Sequence, residues 1–76
     1  MAIDFGSLLS NDQKREILEA RIASFANEGY QHELNKATAA SLGNEEGVTS
    51  ADEAIATLSA AISAHQTELS ALPAAE

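Results

Sequence analysis

His65 is the residue whose type and position most invite a chemical reading. It follows Ile55, Leu58 and Ile62 and precedes Leu69 and Leu72, in the one slot of that row without an apolar group. A histidine in an apolar row is most simply a seam residue. It hydrogen-bonds to a backbone carbonyl or to Gln66 of a neighbour, and it fixes register as a buried asparagine does in coiled coils. Glu68 follows it by three residues, the reverse of the Glu-x-x-His order used in di-iron bundles. His32-Glu33-Leu34-Asn35-Lys36 begins like a zinc-protease helix, but Lys36 stands where the second histidine belongs.

The remaining chemistry is sparse. There is no cysteine, hence no disulfide and no thiolate ligand. No glycine-rich phosphate loop occurs, and the serines have no companion base. No catalytic residue, metal ligand or cofactor site is expected, and the chain reads as a non-enzyme. Arg21, Tyr30 and Lys36 are the candidates to hold a small anion, such as a nucleotide, across a subunit boundary. Glu45, Glu46, Asp52 and Glu53 cluster near a turn with no base after Lys36 to oppose them, which makes them the candidates to touch a partner's basic patch.

The charge balance narrows the partners. Twelve acids against four bases give a net charge of −8, and residues 45–76 hold six of the acids and no base. Such a surface repels nucleic-acid backbones and acidic lipids, so neither is an expected partner. No apolar run approaches the roughly 18 residues of a membrane span, and no basic-then-apolar leader is visible. A soluble cytoplasmic protein is the expectation. Size and acidity resemble those of small phage accessory proteins, a likeness of scale alone.

Two helices must position these groups. Residues 1–9 form a short apolar arm containing Ile3, Phe5, Leu8 and Leu9. Ser10 and Gln13 are spaced as a capping box, predicting a helix from about 11 to 42. Leu18, Ile22 and Phe25 share one face of it, and Gly29 continues that face. Tyr30, Leu34 and Ala37 lie well around the helix. Either the helix kinks near Gly29 and realigns the two sets, or it stays continuous and presents two faces to two neighbours. The second alternative itself implies an oligomer.

Gly43 suits a left-handed position after the helix, and residues 43–48 read as the turn. Thr49 to Asp52, or Ser50 to Glu53, offers the next capping box, predicting a second helix from about 50 to 72 before Pro73 and the tail. With the turn centred near Glu46, residues whose numbers total about 92 lie side by side. That register pairs Leu34 with Leu58, Tyr30 with Ile62, and Ala37 with Ile55.

The expected fold is therefore all-α: a single domain formed by an antiparallel two-helix hairpin with an N-terminal arm. A chain of 76 residues buries only about 60% of its unfolded surface, so completion by oligomerisation into a helical bundle is expected. A two-fold dimer is the default. Phe5, Leu8, Leu9, Phe25, Ala54, Ala61, Ala64 and His65 are the candidate self-association residues. The leading function is a small acidic self-associating module with a structural, accessory or protein-binding role. The alternatives are an acidic inhibitor of a basic, nucleic-acid-binding site and an oligomer that sequesters a small anionic ligand.

Overall fold

The structure, a computed structural model, describes residues 2–73. Met1 and residues 74–76, the tail expected after the second helix, lie outside it. The fold is all-α. A single 3-10 turn, Phe5–Leu8, leads into α1 (Asn11–Ser41), which packs along α2 (Glu45–Ala71) as a hairpin.

Local chemistry sets the start of α1. The Ser10 hydroxyl accepts from the Gln13 amide at 3.1 Å, and the Gln13 side chain accepts from the Ser10 amide at 2.8 Å. This capping box satisfies two helix-end groups at once. Upstream, the Asp4 carboxylate accepts from the Gly6 amide and closes the 3-10 turn.

The turn is tighter than the sequence suggests. Gly43 adopts φ +70°, a left-handed conformation that other residues reach at a cost. Its amide donates to Ala40 and the Asn44 amide donates to Ala39, at 3.1 and 2.8 Å. This is the paired bonding of a Schellman motif. Asn44 then caps the next helix, its side-chain oxygen accepting from Gly47 at 3.0 Å. The turn is thus Leu42–Asn44 rather than residues 43–48, and α2 starts at Glu45 rather than near 50. Asn44 takes the capping role expected of Thr49 or Ser50, because the Schellman turn delivers it directly to a helical start.

The shorter turn changes the register. Lys36 pairs with Asp52, so residues whose numbers total about 88 stand side by side, not 92. Helix α1 also runs unbroken through Gly29. Its inward residues are Leu18, Ile22, Phe25, Gly29, His32 and Ala39, half-buried except for the buried Ala39. With Lys36 they follow an alternating spacing of four and three. This is the periodicity of a coiled-coil seam. Ala51, Ile55, Leu58, Ile62, His65, Leu69 and Leu72 line the other side with the same spacing.

Tyr30 and Leu34 are therefore not in the seam. They point away from α2 and are 62% and 51% exposed. The expected pairings of Leu34 with Leu58, Tyr30 with Ile62 and Ala37 with Ile55 do not form. The helix is continuous rather than kinked at Gly29.

The hairpin has a seam but scarcely a core. Among the described residues only Ala39 and Ala51 are buried, at 8% and 4% exposure, and both lie near the turn. The helices approach closely there because the contact is made of small residues. A methyl added to Gly47 would stand 2.9 Å from the Ala39 Cβ. The molecule measures 51 × 32 × 14 Å, so it is one helix thick. Folded domains normally bury their apolar faces between at least two layers, and here there is one.

Candidate interaction surface

Arg21, Phe25 and His65 form the best-defined side-chain cluster. Arg21 and Phe25 stand one turn apart on α1, and His65 reaches them from α2. Arg21 Nε donates to His65 Nε2 at 2.9 Å, while His65 Nδ1 lies 2.6 Å from the Ala61 carbonyl. The carbonyl can only accept, so Nδ1 carries the proton and Nε2 offers its lone pair. Phe25 packs edge-on against the imidazole with ring centroids 5.0 Å apart, and the Arg21 guanidinium lies 5.7 Å from the Phe25 centroid. Both imidazole nitrogens are thus engaged within the chain. His65 holds the helices together at a seam slot, with its hydrogen bonds satisfied.

Two further polar links cross the hairpin. Lys36 Nζ lies 2.7 Å from the Asp52 carboxylate near the turn. At the open end, Arg15 binds Asp12 at 3.0 Å and donates to the Pro73 carbonyl at 2.6 Å. Arg15 carries no motif that singles it out. Its signal is only a base placed where the C-terminus of an antiparallel helix must arrive.

The anion candidates separate within the chain. Arg21 faces His65, Lys36 faces Asp52, and Tyr30 points outward on α1. The acidic candidates divide as well. Glu45, Glu46 and Glu53 rim one shallow depression with Thr49 and Ser50. Asp52 is turned to Lys36, so its charge is opposed, contrary to expectation. Glu45 and Glu46 occupy the first turn of α2, where the helix dipole favours negative charge.

The self-association candidates also spread over several surfaces. Phe25 and His65 contact each other inside the hairpin. Ala54 and Ala61 are half-buried beside the seam, and Ala64 is exposed. In the arm, Phe5 and Leu8 are exposed. Leu9 is half-buried and shares a groove at the open end with Ile17, Leu18 and Leu72.

Among the described residues no three His, Asp or Glu side chains gather as ligands for a metal ion, and no helix is long and apolar enough to cross a membrane. Against protein-family models, curated proteins and solved structures, the chain finds no match.

Proposed function

We propose that this chain is a non-enzymatic contact module, a helical hairpin that self-associates and serves a structural or protein-binding role. The supporting observation is its surface. A compact monomer of 7.9 kDa exposes about 4,400 Å², whereas this chain exposes 5737 Å². The excess exceeds the roughly 800 Å² that each partner covers in a standard protein interface. Large apolar groups contribute to it, among them Phe5, Leu8, Tyr30 and Leu34. A hairpin in which, among the described residues, only two alanines are buried gains the missing burial when a second layer covers it.

Molar mass by light scattering across a wide concentration range, paired with helicity by circular dichroism, tests this reading. A dimer or higher oligomer of high helicity is expected. A helical monomer at every concentration would overturn it.

The acidic rim formed by Glu45, Glu46 and Glu53 supports a second reading, capture of a basic patch on another protein. Net charge −8 would accelerate that encounter. Replacing Glu45, Glu46 and Glu53 by Gln separates the readings. Self-association should survive the change, whereas capture of a basic partner requires the acids.

A further inference from the structure

We propose that the outward face of α1 is the subunit boundary, where a second copy of the chain packs antiparallel across a two-fold axis. This inference rests on the self-association reading and assigns it a surface. The outward face holds Ala20, Ala23, Asn27, Tyr30, Leu34 and Ala37, all exposed. Their spacing alternates three and four, the same as in the hairpin seam on the opposite side. A stripe that keeps this period over about two and a half heptads stays in line with a second helix wound along it. Helix α1 therefore carries two seams, and α2 fills only one.

The composition of the stripe indicates what fills the other. No member of it is charged, on a chain of net charge −8. Its order is also self-complementary. When the stripe is laid against itself in reverse, Ala20 meets Ala37, Ala23 meets Leu34, and Asn27 meets Tyr30. Each large side chain falls opposite a smaller one, as interdigitated packing requires. In a parallel pairing, Leu34 would meet Leu34, Tyr30 would meet Tyr30 and Asn27 would meet Asn27, with alanines facing alanines elsewhere.

The acids beside the stripe fit the same geometry. Along one edge stand Glu19, Ala26, Glu33 and Ala40. In an antiparallel pair like edges face each other, so Glu33 comes opposite the second copy's Ala26, and Glu19 opposite its Ala40. No carboxylate meets a carboxylate across this edge. The two-fold symmetry thus avoids the repulsion that two acidic chains would otherwise meet.

Leu34→Glu tests the surface, since Leu34 points away from α2 and its replacement leaves the hairpin seam untouched. Helicity should be unchanged, while the dimer dissociation constant rises at least about a hundredfold, two leucine contacts being lost per dimer. Cysteine bridging tests the direction. Ala20 and Ala37 lie about 25 Å apart along one helix, too far to bridge within a chain. Ala20→Cys and Ala37→Cys, mixed as reduced thiols and then treated with a mild two-electron oxidant, should form a disulfide-linked heterodimer, and neither variant treated alone should bridge. Self-bridging of either single variant would overturn the antiparallel arrangement. Association of the unaltered chain that resists Leu34→Glu would overturn this surface and leave the self-association reading standing. An unaltered chain that stays monomeric would remove both.

Discussion

Arg21 and His65 are joined across the hairpin by a hydrogen bond of 2.9 Å in which the imidazole is the acceptor. Because His65 Nδ1 is committed to the Ala61 carbonyl, Nε2 is the ring atom left to accept from Arg21. The bond is solvent-exposed on the Arg21 side, so it contributes modestly while occupying an apolar slot. His65→Leu should therefore stabilise the hairpin. The substitution continues the row from Ile62 to Leu69 and keeps a packing partner for Phe25. A gain of about 1 kcal/mol would raise the melting temperature by about 4–8 °C in a thermal circular dichroism scan.

Two glycines of these helices should respond to alanine in opposite ways. Gly29 lies mid-helix, and a methyl there would meet nothing within 4 Å. Gly29→Ala should stabilise α1 by about 1 kcal/mol through helix propensity alone. A methyl on Gly47 would press against the Ala39 Cβ at 2.9 Å and the Asn44 side-chain nitrogen at 2.8 Å. Gly47→Ala should cost about 1–2 kcal/mol net, since overpacking and a disturbed cap outweigh the propensity gain. Thermal unfolding of the two variants beside the unaltered chain checks the signs.

Arg15 closes the open end by donating to the Pro73 carbonyl. Arg15→Ala should loosen the end of α2 without unfolding the turn, a loss of up to about 1 kcal/mol. Hydrogen exchange reads this directly. Protection should fall for the amides around Leu69 and Leu72 and hold near Ala51.

Lys36 and Asp52 are both about half exposed, so their ion pair contributes little to stability. Lys36→Met should leave the melting temperature within about 8 °C, because the lost pair is worth at most about 1 kcal/mol and the aliphatic stem remains at the seam. A larger fall in a thermal scan would show that the pair sets the register.

What the sequence revealed follows from which interactions are local. The capping box at Ser10 and Gln13 and the left-handed Gly43 need only a few adjacent residues, and both are legible in the chain. The register is not. The seam of α1 passes through Gly29, His32 and Lys36, none of which signals burial, while the apolar Tyr30, Leu34 and Ala37 mark the opposite face. Hydrophobic spacing alone therefore follows the wrong stripe beyond Phe25. The Schellman turn decides between them by starting α2 at Glu45, and the closeness of Ala39 and Gly47 appears only once that turn is made. His65 reads correctly as a seam residue, but its bond to Arg21 depends on the register and is invisible before it.

The thin, extended hairpin also has a hydrodynamic consequence. Its radius of gyration is 16.8 Å, the value of a compact globule of about 210 residues rather than 76. Friction follows that breadth, so a single copy migrates through a sizing column like a much heavier sphere. An elution volume alone would overstate the mass of one chain, whereas scattered light weighs it independently of shape.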